Sequence, residues 1–242
     1  ASGGTSTVTK NTVTVSGGNV NGTIYGGFLA SSTTPRDVAE NTVTLTGGTV
    51  KDVYGGYTGN HAVGKTNKNI VNLGDGTNPL ASGSKIEGVL YGGNSTAANG
   101  NEGNTLNVKT NATAKNIVNF EKVNFDLNAS LDKRNPMLNL NGGTATAFDW
   151  GKFTVTGERP APDEDITLLK NTYGINFGAT YTDTILKGIT ATHEYVVYTD
   201  TGSDVGAKEI HYGTYQFKDA EKSFAAARPN PDLWAGRSVA GN

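Results

Sequence analysis

Small apolar residues alternate with Thr and Asn in four short blocks that open alike: Asn11-Thr12-Val13-Thr14-Val15, Asn41-Thr42-Val43-Thr44-Leu45, Asn69-Ile70-Val71-Asn72-Leu73 and Asn104-Thr105-Leu106-Asn107-Val108. Their starts lie 30, 28 and 35 residues apart. A period of two puts Val13 and Val15, Val43 and Leu45, Val71 and Leu73, and Leu106 and Val108 on one face, which predicts half-buried strands. The first three blocks continue alike, through turns at Gly17-Gly18, Gly47-Gly48 and Gly74-Asp75-Gly76. A second short strand then ends in Ile24-Tyr25-Gly26-Gly27, Val53-Tyr54-Gly55-Gly56 or Leu90-Tyr91-Gly92-Gly93. The glycine pairs are expected to supply the positive φ that sharp corners need. One such strand pair cannot bury its apolar face alone, so successive blocks must stack, each strand on its counterpart one block later. The predicted fold class is all-β: a right-handed parallel β-helix, or solenoid, the hand following the preference of parallel crossovers.

Length differences between blocks fall in loops: the third block has about nine extra residues within Thr77 to Lys85, and this stretch with 29–40, 58–68 and 94–103 makes the candidate outward protrusions. After Gly103 the Tyr-Gly-Gly signature stops, and residues 1–104 hold only 12 of the 42 charged side chains. A change of region is therefore expected near residue 110. The later part still alternates as strands do, at Val123, Phe125 and Leu127, at Leu138 and Leu140, at Phe153 and Val155, and at Ile210 and Tyr212. Lys218 to Arg228 reads as a helix closed by Pro229, with Asp232 to Ala240 a second short one. The expected organisation is solenoid coils over 1–110, a β-rich C-terminal capping region over 111–216 and a short helical tail over 217–242.

Composition narrows the function classes. The 242 residues include 33 Gly, 33 Thr and 26 Asn, against 20 basic and 22 acidic side chains. A net charge of −2 leaves no electrostatic footprint for nucleic acid. There is no Cys, which excludes disulfides and thiol chemistry. No apolar run is long enough for a membrane-spanning helix. The opening Ala1-Ser2-Gly3-Gly4 has neither an initiator Met nor a signal core, and reads as the start of a processed or excised piece.

Tandem coils reading Asn-Thr-Val-Thr-Val-Ser-Gly-Gly followed by Val-Tyr-Gly-Gly resemble the β-helical passenger of bacterial autotransporters, the type V secretion adhesins. The run from Asn116 to Leu127, then Pro136 to Leu140, then Asp165 to Lys170, is similar to the passenger segment known as the autochaperone region. The resemblance implies that this segment caps the solenoid and nucleates folding as the chain emerges through its own outer-membrane barrel. The barrel is not in this sequence, and the tail from Lys218 resembles only loosely the helix that threads one. Neither the serine nucleophile motif of protease passengers nor a trimeric coiled-coil stalk is present.

Individual motifs carry mostly structural readings. Gly59-Asn60-His61-Ala62-Val63-Gly64-Lys65-Thr66 matches the phosphate-binding loop pattern, but it lies between a Tyr-Gly-Gly corner and a strand start rather than between a strand and a helix, so nucleotide binding is not expected. Tyr25, Tyr54 and Tyr91 recur in register, either as a stacked ladder or as exposed rings that bind sugar, and stacking alone accounts for the repetition. Asn11, Asn41, Asn69 and Asn104 read as a ladder whose amides satisfy backbone groups. The acidic group Glu158, Asp163, Glu164 and Asp165 flanks Pro160 and Pro162 and reads as a solvated loop. His61, His193 and His211 lack metal spacing. Asn21, Asn94, Asn111 and Asn128 begin glycosylation sequons by chance in so Asn- and Thr-rich a chain.

The expected function is that of a non-enzymatic, secreted surface passenger, an adhesin or stalk, attached to or released from the bacterial outer membrane. Its expected partners are a host or bacterial cell-surface ligand, protein or glycan, and its own barrel during secretion, with self-association possible and no nucleic acid. No catalytic, cofactor or metal residues are expected, and the partner-binding residues are unknown. The alternative is a pectin-lyase-like polysaccharide-processing enzyme, which shares the architecture. A second alternative is a self-associating biofilm or surface-filament protein.

Overall fold

The structure, a computed structural model, describes residues 7–30, 36–162, 164–178, 184–189, 193–203 and 205–216. The expected helices at Lys218 to Arg228 and Asp232 to Ala240 lie outside the described residues. The chain divides into two compact units, one of Ala1–Asp132, Met137–Thr144 and Gly151–Glu158, the other of Lys133–Pro136, Ala145–Trp150 and Arg159–Asn242.

Unit 1 is a parallel β-solenoid of about 5 turns. Strands β1 (Val8–Thr9), β2 (Thr12–Val20) and β3 (Ile24–Leu29) form the first coil, and β4 (Val38–Ala39), β5 (Thr42–Val50) and β6 (Val53–Thr58) the second. The third holds β7 (Ile70–Leu73), β8 (Lys85–Ile86) and β9 (Leu90–Tyr91), and the fourth β10 (Thr105–Val108), β11 (Ala112–Ala114) and β12 (Ile117–Val118). Next come β13 (Lys122–Leu127) and β14 (Leu138–Leu140), then β15 (Thr146–Phe148) of unit 2, and β16 (Phe153–Gly157) back in unit 1. The widest ladder runs β2-β5-β7-β10-β13-β16, a second runs β3-β6-β9-β12, and β1 pairs β4, β8 pairs β5 and β11 pairs β14, all in parallel.

Register explains the core. Val13, Val43, Val71, Leu106, Val123 and Phe153 stand in one row, and Val15, Leu45, Leu73, Val108, Phe125 and Val155 in the next. From Val43 to Phe125 these side chains are buried. The parallel ladder continues past residue 110, where loss of the Tyr-Gly-Gly signature had suggested a change of region. Stacking needs only the in-out alternation, which β13 and β16 keep.

Two local expectations are corrected. Gly17-Gly18 and Gly47-Gly48 do not end their strands, because β2 and β5 run through them, bending at Gly18 (φ 81°) and Gly48 (φ 90°). The glycines of Tyr-Gly-Gly have no positive φ. The left-handed corner is taken instead by the residue just before each ladder Asn: Lys10, Glu40, Lys68 and Gly103, with φ between 54° and 74°.

Unit 2 holds β15, β17 (Asp165–Asn171), β18 (Ile175–Phe177), β19 (Thr184–Ile189), β20 (His193–Thr199) and β21 (Glu209–Gln216). β17, β21, β20 and β19 form an antiparallel run, whereas β15 and β18 pair in parallel. Its aromatic centre has Trp150 stacked on Phe177 at 5.3 Å. Arg159 lies over the Tyr195 ring at 5.0 Å.

Candidate functional site

The four ladder asparagines stand at the start of the widest ladder's strands, where the left-handed residue before each turns its amide along the stack. Asn41 Oδ1 accepts from Asn11 N at 3.1 Å and Asn11 Nδ2 at 2.8 Å. Asn69 Oδ1 accepts from Asn41 N at 3.1 Å and Nδ2 at 3.0 Å, and Asn104 Oδ1 from Asn69 N at 2.9 Å and Nδ2 at 3.3 Å. The second hydrogen of each amide closes a backbone carbonyl, Asn41 on Val8, Asn69 on Val38 and Asn104 on Thr66. Asn41, Asn69 and Asn104 are fully buried, so an unmet polar atom here would cost about 1–3 kcal/mol. In the next coil Glu121 ends the run, its carboxylate accepting from Gly103 N.

The Tyr-Gly-Gly glycines make room for this ladder. A Cβ on Gly27 would sit 2.5 Å from Asn41 Nδ2, one on Gly56 2.6 Å from Asn69 Nδ2, and one on Gly92 2.7 Å from Asn104 Cβ. Each glycine pair thus faces the asparagine of the following coil. The two halves of the repeat are one device, which is why they vanish together after residue 104.

Outside the coil, Tyr25 stacks on Tyr54 (5.5 Å between centroids) and Tyr54 on Tyr91 (4.2 Å, 2° between planes). Phe28 stacks on Tyr57 at 5.5 Å, and Tyr57 sets its edge against Tyr25 and Tyr54. Burial first, and then neighbouring Tyr91, push the Tyr54 hydroxyl well above its usual range. Stacking covers the ring faces that a pyranose would need, so the geometry favours a stabilising ladder, at up to ~1 kcal/mol per pair. Phe28 and Tyr57 belong to this cluster too, an extension that only their shared place three residues after a ladder tyrosine hinted at.

The outward face of the widest ladder carries a second polar row. Asn72 donates to Thr44 at 3.0 Å, Asn107 to Asn72 and Asn124 to Asn107 at 2.8 Å each, and Thr154 to Asn124 at 2.6 Å. These side chains satisfy one another and carry no charge, so the row holds no acid or base for glycoside or lyase chemistry.

The loops of the second and third coils join into one ordered ledge. Asn94 bridges back to Thr58, its Oδ1 accepting from Thr58 N at 2.9 Å and its Nδ2 donating to Thr58 O at 2.8 Å. Ser95 Oγ donates to Gly64 O at 2.6 Å, and Thr96 N to His61 O at 2.7 Å. Buried Thr66 accepts from Asn94 N and Ser95 N and donates to Asn101 at 2.8 Å. The phosphate-loop pattern is consumed here: His61 to Val63 form a turn with no helix behind it, and the Thr66 hydroxyl is fully engaged. His61, Ala62, Val63, Thr96, Ala98 and Asn99 are left exposed on the ledge.

In unit 2 the acidic stretch is more engaged than a solvated loop. Glu164 accepts from Ala161 N at 2.7 Å and pairs with Lys133 at 2.9 Å, and these contacts outweigh burial to hold its carboxyl below the usual range. Asp163 lies outside the described residues. His211 was not singled out by its spacing, yet it sits between Asp165 (Nδ1 to Oδ2, 3.3 Å) and Glu209 (Nε2 to Oε2, 3.1 Å) and stacks on Tyr198. Tyr198 donates to Asp165 at 2.8 Å and Lys170 to Glu209 at 2.5 Å. Burial alone would lower the His211 pKa, but the Asp165 hydrogen bond and the charges of Asp165, Glu209 and Asp200 together raise it.

Among the described residues no group of three or more His, Asp or Glu is placed to hold a metal ion. None of their helices is long and apolar enough to cross a membrane, which says nothing of a β-barrel. Comparisons with protein-family models, curated proteins and solved structures find no match to this chain.

Proposed function

We propose that this protein is a non-enzymatic passenger displayed at a bacterial cell surface, an adhesive stalk that binds a host or bacterial surface ligand through loops held on a solenoid. The observation that supports this reading most is the ledge. Two successive loops are locked together by bonds from Asn94, Ser95, Thr66 and Thr96, several of them to the His61 backbone carbonyl, which leaves His61, Ala62, Val63, Ala98 and Asn99 exposed on a fixed support. A rigid support with free tips loses little entropy on contact. Repeated loops at fixed spacing can also add weak contacts by effective concentration. The autotransporter resemblance supplies the rest of the proposal: secretion through the chain's own outer-membrane barrel, and a folding-nucleus role for residues from 116 onward.

Labelled protein applied to epithelial cells and to bacteria tests the reading. Binding is expected, and the double variant His61→Ala, Val63→Asp should reduce it about tenfold, a loss of ~1.4 kcal/mol, with circular dichroism unchanged. No binding, or binding indifferent to the ledge, would reject it. Calcium-dependent cleavage of an acidic polysaccharide would install the enzymatic alternative instead.

A further inference from the structure

Along β17 the chain alternates, Asp165 and Thr167 outward and Ile166 inward, and unbroken alternation would turn Lys170 inward too. A β-bulge prevents this. Thr167 pairs with His211 and Leu169 with Ile210, so Leu168 is an extra residue, and both leucines are fully buried. Lys170 thereby returns to the outward face, opposite Glu209, with which it forms an ion pair. Gly213 stands opposite Asp165, and the side chain it lacks leaves space for the Asp165 carboxylate and the Tyr198 ring, which a Cβ would meet at 3.4 and 3.5 Å.

Bulge and glycine together gather ionisable side chains around one imidazole. β17 brings Asp165 and Lys170, β20 brings Tyr198, the turn after it brings Asp200, and β21 brings Glu209 beside His211 itself. The His211 side chain is only 14% exposed, and its two nitrogens face carboxylates on different strands, Asp165 on β17 and Glu209 on β21. An imidazolium donates from both nitrogens. A neutral ring has one N–H, so one of the two carboxylates then faces a lone pair.

We propose that this cluster is a proton-operated latch: protonated His211 ties β21 to β17 through Asp165, and loss of the proton loosens that strand pair locally. The latch stands on the bulged pair and holds whether or not the adhesive reading does. Burial pulls the His211 pKa down, but the Asp165 hydrogen bond and the charges of Asp165, Glu209 and Asp200 raise it above the ordinary value of about 6.5. The latch is therefore shut below about pH 6.5 and opens as pH rises through the folded pKa. Each unit of elevation makes local opening about tenfold easier on the alkaline side, so the pKa and the size of the opening step must agree.

Amide hydrogen exchange of the whole chain from about pH 5 to about pH 9, with the His211 ring titrated alongside by NMR, tests it. Protection of the β17 and β21 amides, corrected for intrinsic exchange, should fall about tenfold as His211 loses its proton, while β5 and β7 of the solenoid keep theirs. Lys170→Gln removes the cation on Glu209 and should move the step to higher pH. Asp165→Asn removes a carboxylate and should move it to lower pH. Both side chains are partly exposed, so each variant should keep the fold, as circular dichroism at about pH 5 will show. His211→Gln, neutral throughout, should show the weak protection at every pH and no step. A His211 that titrates at or below about 6.5, the absence of a step, an equal step in the solenoid strands, or steps that ignore both Lys170→Gln and Asp165→Asn would overturn the proposal.

Discussion

Asn69→Ala removes the middle rung of the buried ladder, and its cost can be worked from the bonds lost. The buried Asn41 N–H loses its acceptor at 3.1 Å, and the Val38 carbonyl loses the amide that reaches it at 3.0 Å. Asn41 Nδ2 keeps its bond to Val8 O, and Asn104 keeps its bond to Thr66 O, so two backbone groups carry most of the penalty. At about 1–3 kcal/mol for each of the two unmet backbone groups, the variant should lose roughly 2–6 kcal/mol. For a chain of this size that lowers the melting temperature by roughly 4–24 °C. Asn107→Ala, in the half-buried outer row, is the control and should cost about 1 kcal/mol or less. Asn69→Asp sharpens the test. Its carboxylate still accepts from Asn41 but turns an oxygen, not a donor, toward Val38 O and Asn104 Oδ1. Its folded pKa should therefore lie above the unfolded value of about 3.9, so the penalty is small below that pH and grows as pH rises above it. Urea melts of the four proteins at pH 4 and pH 7 decide the matter. If Asn69→Ala melts within about 0.5 kcal/mol of wild type, or no lower than Asn107→Ala, the ladder does not hold the coils together.

Three further outcomes are expected. Val43→Asp puts an unpaired charge into a fully buried row and should abolish cooperative unfolding of unit 1, which a thermal melt will show; a native-like melt would mean the inward face is wrongly assigned. Gly56→Ala should destabilise by more than the ~1 kcal/mol set by helix or strand propensity, because its methyl collides with the Asn69 amide, and the double variant with Asn69→Ala should show strong coupling in a thermodynamic cycle. His211, with both ring nitrogens on carboxylates, should titrate above the usual value of about 6.5 by NMR; the stability it lends is complete below that pH and is lost as pH rises through the folded pKa, and His211→Phe should flatten this dependence.

The coil repeat was legible because stacking demands the same alternation at the same place in every coil. Val43, Leu45, Val71 and Leu73 could be placed inward from period alone, and the asparagine and tyrosine rows followed from their recurrence. The glycines were legible as necessary but not in their role. Their constraint comes from the asparagine of the following coil, about 14 residues ahead at Gly27 and Asn41, and only the stacked geometry brings the two together. The corners were hidden for a related reason: Lys10, Glu40 and Lys68 adopt left-handed φ without being glycine, so no residue type announces them. Past residue 104 the alternation at Val123 and Phe125 showed a strand but not its partner, since without Asn and Tyr-Gly-Gly nothing in the sequence ties β13 to β10. The ledge is made by single side chains in variable loops, where no periodicity operates. His211 belongs to a cluster whose members are 46 and 2 residues away, at Asp165 and Glu209, and antiparallel pairing alone unites them.

In-register stacking of successive coils is the claim on which the rest depends, and a chain with no Cys of its own allows a clean test by cross-linking. Thr42, Ile70 and Thr105 are direct partners on the outward face, so Thr42→Cys with Ile70→Cys, and Ile70→Cys with Thr105→Cys, should each form a disulfide on mild oxidation, their Cα atoms being about 5 Å apart. Thr42→Cys with Asn72→Cys, two residues out of register and about 8 Å apart, should stay reduced. Peptide mapping after oxidation reads the result. Closure of both in-register pairs and of no offset pair is what the solenoid predicts; closure of the offset pair, or equal closure of all three, would contradict it.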